Sequence, residues 1–214
     1  MSTSRTSYHH GDLRAALLRA AVDSLEAGEA FSMRGVARRA GVSPTAPYRH
    51  FADREALDAA VAVEAFHDLR QELERAVADL PATAGPVDEI AALGVAYVSF
   101  ALRRPAVFRL MFGHECDDEN DERVRAAREL HVVLDRVVER SIPAADVPSL
   151  STALWGLAHG LAFLHLDGKL PPGSDDEVAA RVRTSVAAIL AVGVDDRHPE
   201  TPEPAIPARQ EAHP

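Results

Sequence analysis

The chain has 214 residues, 47 % of them apolar and 5 % aromatic, and a formal net charge of −10. That length allows one large domain or two small ones around an ample core, and the acidity taken alone argues against a nucleic-acid partner. The single cysteine, Cys116, excludes an intrachain disulfide; no apolar run reaches the ~20 residues that span a bilayer, and the polar N-terminus is no signal peptide, so a cytoplasmic protein without a membrane partner is expected.

Residues 1–9 are polar, with Arg5, His9 and His10 near the first helix. They read as a frayed terminus or as an arm along a DNA groove. The first helix is expected over Gly11 to Ala27, with Leu13, Leu17, Ala21 and Leu25 on one face and Gly28 as its stop. Phe31 should plug a small core. Ser32 then stands as an N-cap before Met33, Val36, Ala37 and Ala40, an apolar face at helical spacing. Gly41 supplies positive φ for a sharp turn, and Ser43-Pro44 reads as a hydroxyl cap followed by proline at the first helical position. The short second helix carries Thr45, Tyr48, Arg49 and His50, groups suited to phosphates and base edges. This is a helix-turn-helix with a recognition helix.

Charge distribution supports that reading against the total. Residues 1–54 hold eight arginines and five acids, a net +3, which leaves −13 for the rest. A basic head on an acidic body is the asymmetry of a protein that meets DNA with one end. A GC-rich coding bias equally explains the preference for arginine, since Lys169 is the only lysine.

Asp53 caps a long helix reaching to about Leu80, with Leu57, Val61, Phe66, Leu69, Leu73 and Val77 on one side. Pro81 to Pro86 break it. The next helix, about Val87 to Arg103, is apolar nearly all round, which implies burial on several sides. Pro105 opens a short apolar segment ending at Gly113. The run His114 to Glu122 is the most acidic in the chain and reads as a solvated loop or as a metal site, although no usual ligand spacing is present. Three more helices are expected, over about Asp121 to Arg140, Ser149 to Leu166 and Asp175 to Ala191. From about Asp195 the chain is proline-rich and acidic, a composition for a disordered tail.

Ala40-Gly41-Val42-Ser43, then Tyr48-Arg49-His50-Phe51 and Asp53-Arg54-Glu55-Ala56-Leu57, together resemble the DNA-binding domain of the tetracycline-repressor (TetR) family. Trp155-Gly156-x-x-His159-Gly160 is similar to a Trp-His-Gly pattern in one branch of that family. Ala46 and Pro47 depart from it, standing where threonine and leucine are usual, and Pro47 should cost at most one early helical bond. The resemblance implies an all-α protein of about nine helices. Residues 1–52 form a three-helix DNA-binding domain, 53–194 a helical effector-binding and dimerisation bundle, and 195–214 a tail. DNA contacts fall to Arg34, Ser43, Pro44, Thr45, Tyr48, Arg49 and His50.

The resemblance further implies an effector pocket within the bundle. Phe100, Phe108, Met111 and Phe112, with Trp155, His159 and Phe163, are its candidates. The same residue types at helical spacing also read as plain core, and His159 equally as an interhelical hydrogen bond. A homodimer through the last two helices is implied, at Leu154, Gly156, Gly160, Leu164, Val182, Val186 and Ile189. Gly156 and Gly160, four apart, leave a flat strip for a second helix. Expected partners are duplex DNA, a second copy and a small hydrophobic effector; no cofactor or metal is expected. The function expected is a repressor released by that effector. Two alternatives stand beside it: a regulator whose body only dimerises, and an enzyme. Ser99, Ser151, His131, His159, Asp135 and Cys116 supply nucleophile and base types for the latter, but no catalytic motif groups them.

Overall fold

The computed structural model describes residues 10–29, 31–113 and 122–192, all helix and connection. Chain order is α1 (His10–Glu26), α2 (Met33–Arg39), a 3₁₀ turn (Pro47–Arg49), α3 (Arg54–Ala78), α4 (Pro86–Arg103), α5 (Pro105–Phe112), α6 (Glu122–Ser141), α7 (Val147–Leu166) and α8 (Asp175–Val192). Among the described residues that is eight α-helices and one 3₁₀ turn, close to the nine helices expected, and the protein is all-α. The N-terminal arm, the acidic run from His114 to Asp121 and the tail from 195 lie outside the described residues.

Local signals set most boundaries. Gly28 and Gly41 take φ of 65° and 71°, as the turns after α1 and α2 require. Ser32 accepts the Gly35 N–H at 3.1 Å and Asp53 accepts that of Ala56 at 2.8 Å, so both act as N-caps. Arg104 is pushed out of helical geometry by the proline after it. The chain turns by 109° there, separating α4 from α5.

Two apolar clusters organise the packing. The smaller joins Leu17, Leu18 and Ala21 of α1, Met33 and Val36 of α2, Phe51, and Leu57 and Val61 at the start of α3. The larger fills the body, from Phe66 and Leu69 of α3 through α4 to Val182 and Val186 of α8. Val22 and Leu25 touch both. A boundary drawn between residues 52 and 53 falls just before a shared helix: the first two turns of α3 complete the head, and the rest of its 25 residues wall the body.

α4 is the body's central helix, packed by α3, α6, α7 and α8. Gly94 lets α8 approach; a Cβ built there would lie 3.0 Å from Val182 Cγ1. α7 corrects the expectation that no apolar run is long enough to cross a bilayer. It has 20 residues at a mean hydropathy of 1.3, and Ser151, Leu154, Ala158, Leu161 and Ala162 are its fully buried positions.

Candidate functional site

The head exposes most of the polar groups of its helix-turn-helix. Arg34, Ser43, Pro44, Thr45, Tyr48 and Arg49 are exposed, Tyr48 by 54 %, while Pro47 and Phe51 face inward. His50 is half-buried, its ring tilted against Phe51. Arg38, not singled out from the sequence, is exposed on the same short helix as Arg34; it is one of three arginines there, and that density was the available signal. Arg39 is turned aside to pair with Glu29 at 3.0 Å.

The recognition segment departs from expectation. It is a 3₁₀ turn, held by Ala46 N–H to Ser43 O (2.9 Å), Arg49 N–H to Ala46 O (3.2 Å) and His50 N–H to Pro47 O (2.9 Å). Pro47 has no N–H to give to the Ser43 carbonyl, and its ring crowds that carbonyl, so Ser43 O accepts from the closer Ala46 instead. The cost exceeds the single bond expected. Ser43 also caps no α-helix; its hydroxyl meets that of Thr45 at 3.2 Å.

In the body, Phe108, Phe112, Trp155, His159 and Phe163 lie together. The His159 ring lies 4.7 Å from Phe112, 4.8 Å from Phe163, 5.5 Å from Trp155 and 6.0 Å from Phe108. Phe100 and Met111 are buried elsewhere in the core, and the Phe100 ring lies beneath the Arg104 guanidinium. The partner missed from the sequence is Tyr97. Its hydroxyl lies 2.8 Å from His159 Nδ1. A lone phenol on an apolar, deeply buried helix needs such a partner, and that was its signal. Burial pushes the Tyr97 hydroxyl far above its ordinary range, with the Trp155 indole N–H acting against that rise. Burial also lowers the His159 pKa from 6.5, keeping the ring neutral. The Tyr97 hydroxyl and His159 Nδ1 share one hydrogen bond, and the histidine tautomer decides which of the two donates. The four-residue spacing of Trp155 and His159 thus puts both on one hydroxyl.

An apolar cavity of about 50 Å³ lies on the far side of Trp155 and Tyr97, walled by α3, α4, α6, α7 and α8. Of the seven candidate pocket residues only Trp155 lines it. Phe108, Phe112 and Phe163 pack against His159 instead, and Phe100 and Met111 lie in the core.

α5 links the two regions. The Glu26 carboxylate at the end of α1 accepts the N–H groups of Val107 (3.1 Å) and Ala106 (3.4 Å) in the first turn of α5. Leu110 packs on the head core, while Phe108 and Phe112 face His159. Arg109 pairs with Asp167 past the end of α7 at 2.5 Å and lies over Phe163.

For the interface candidates, the structure divides the group. Leu154, Val182 and Val186 are buried inside this chain, because α4 occupies that side of α7 and α8, and they are removed from any partner-facing surface. Gly156, Gly160 and Leu164 point away from the body, with open space where a Cβ would stand on either glycine. Ile189 is half-buried. No group of three or more metal-ligating side chains occurs among the described residues.

A helix-turn-helix head on an all-helical body defines a DNA-binding regulator. Residues 17–61 match the family of bacterial regulatory proteins termed tetR, and residues 90–201 match the tetracyclin repressor-like C-terminal domain. The chain belongs to the TetR family of transcriptional regulators. A protein of unknown function from Rhodococcus sp. RHA1 is 34 % identical, with 85 % of this chain and 96 % of that one covered at a TM-score of 0.72. An uncharacterised HTH-type transcriptional regulator of Haemophilus influenzae is 34 % identical over 129 residues, 59 % of this chain; the match spans 62 % of that relative's length. A bacterial regulatory protein in the tetR family from Rhodococcus RHA1, 20 % identical, shares the fold at a TM-score of 0.61 over 83 % of this chain and 96 % of that one.

Proposed function

We propose that this regulator is a cytoplasmic, homodimeric repressor, released from its operator when a small hydrophobic molecule enters the body. One observation carries the reading: α5 touches the aromatic cluster at one face and is held at its N-terminus by Glu26 of the head. A molecule that displaces Trp155 or its ring neighbours pushes on α5, and α5 cannot move without α1. Such a ligand acts through its differential affinity for the two arrangements of the heads.

Dimerisation sets the spacing of the heads, since paired recognition segments must reach successive major grooves about 34–36 Å apart. The free face of α7, with Ala153, Gly156, Gly160 and Leu164, and the exposed alanines of α8 suit close helix packing against a second copy. Aspartates at Gly156 and Gly160 should yield monomers by sedimentation. In the head, Arg34, Ser43, Pro44, Thr45 and His50 position the protein on phosphates, and the exposed Tyr48 and Arg49 add further contacts to phosphate or base.

Fluorescence anisotropy against DNA from upstream of the protein's own gene, with a scrambled duplex as control, tests the reading. Selective binding by two subunits per site, lost on adding a hydrophobic compound, is the expected result. Selective binding that no compound in a broad apolar library weakens would leave a regulator with a purely structural body.

A further inference from the structure

Pro47 stands in the middle of the recognition segment, and both ends of that segment are tied down. At one end Gly41 turns the chain at a φ of 71°, and the Val42 N–H donates to the Ala37 carbonyl oxygen at 3.0 Å. At the other end Phe51 is buried in the head core, and its N–H donates to the Pro47 carbonyl oxygen at 2.9 Å. Between them run two successive tight turns, Ser43 to Ala46 and Ala46 to Arg49, and the Ser43 and Thr45 hydroxyls meet at 3.2 Å. Pro47 is buried, whereas its neighbours Tyr48 and Arg49 are exposed. A buried ring does not reach a duplex, so any effect of Pro47 on DNA passes through those neighbours.

Winding decides where they point. Over three residues a 3₁₀ turn advances about 6.0 Å and about 360°, an α-helix about 4.5 Å and about 300°. Restoring α geometry between Ala46 and Arg49 would therefore turn Arg49 by about 60° and draw it back by about 1.5 Å. With a helix radius of about 5–6 Å, that rotation carries a side-chain tip by about 5–6 Å, more than the ~3.4 Å spacing of nucleotides along a strand. An N–H at position 47 is what α geometry requires. It would donate to the Ser43 carbonyl oxygen, which instead accepts from Ala46 at 2.9 Å.

Resting on the contacts proposed above for Tyr48 and Arg49, we infer that Pro47 is a positioning residue that sets operator choice. By lacking an N–H it holds the segment in 3₁₀ winding, and so fixes which bases Tyr48 and Arg49 face. A residue with an N–H at this position then selects a different operator without losing DNA binding.

The test is selection of sites from random duplex DNA by the full chain, by Pro47→Ala and by Pro47→Leu, with affinities compared by anisotropy. The variants should select half-sites that differ from the wild-type set. Pro47→Ala should bind the wild-type operator about 5- to 150-fold more weakly per mismatched base pair, yet bind its own selected site about as tightly as the wild-type protein binds its own. Salt dependence should stay the same, because phosphate contacts are kept. Nuclear magnetic resonance of the full chain gives a readout that does not depend on a variant's folding. A short distance between the Thr45 Hα and the Arg49 N–H, the mark of an α turn, should be absent from the wild-type protein both free and on its operator. Identical selected sites in the folded variants, a wild-type segment that becomes α-helical on DNA, or a uniform loss across all sequences with a smaller salt slope overturns the inference. Arg49→Ala and Tyr48→Phe in the same selection separate the two levels. A preference shifted by these changes but not by Pro47→Ala keeps the contacts and sinks the positioning; a shift in Pro47→Ala alone supports Pro47 and sinks the contacts.

Discussion

The head and the body of this protein are stabilised on different scales. The head core is a few side chains from α1, α2 and the first two turns of α3, closed by Phe51. The body core runs through six helices around α4 and includes Phe66, Phe100 and Phe108, each essentially inaccessible to solvent. Function divides the other way. The DNA contacts proposed for the head are mostly exposed groups, His50 excepted, whereas every candidate sensing group in the body is also part of its packing. A mutation in the head can separate binding from folding; in the body the two are entangled.

The largest expected effect comes from cutting each core. Phe108→Ala removes a ring that contacts Tyr97, Phe112, His159 and Phe163 and should cost about 3–5 kcal/mol. Leu17→Ala in the head should cost about 2–5 kcal/mol. Thermal melts followed by circular dichroism should show the Leu17 variant losing DNA binding while Trp155 emission stays native. If both variants melt in one identical transition, the two cores are a single cooperative unit.

Next are the exposed contacts. Arg49→Ala with Tyr48→Phe should weaken operator binding by roughly 1–3 kcal/mol per lost contact, without moving the melting temperature. Unchanged affinity in the folded variant would remove these residues from the interface. Glu26→Ala addresses the connection itself. Loss of the cap on α5 should cost about 1 kcal/mol, and its diagnostic effect is reduced coupling: effector and DNA should then bind more independently of each other.

The smallest effect is that of pH. Burial lowers the pKa of His159, and burial with the nearby Arg181 lowers that of His165, whose Nε2 lies 2.9 Å from Arg181. Unfolding raises both back toward 6.5, so the unfolded chain binds more protons below that value. Their contribution is whole above pH 6.5 and declines as pH falls toward their folded values. Glu89, held below 4.5 by Ser141 and Arg140, adds a second loss at lower pH. Melts from pH 8 to 4 should be flat and then fall, and His165→Gln should flatten the first decline.

Signals of short range were legible in the sequence alone. Ser32, Gly41, Asp53 and Pro105 determine their caps and turns through bonds within four residues, so the head's outline and the helix order could be read directly. Proline at 47 shows the limit of that reading: its missing N–H was visible, yet the conversion of the whole recognition segment to a 3₁₀ turn depends on how Ser43 redistributes its acceptor. Tertiary structure decided everything that joins distant positions. Tyr97 meets His159 across 62 residues, and Glu26 reaches the first turn of α5 across 80. Periodicity tells which face of a helix is apolar but not which neighbour covers it. For that reason Val182 and Val186 read as a partner's surface until Gly94 brought α8 down onto α4.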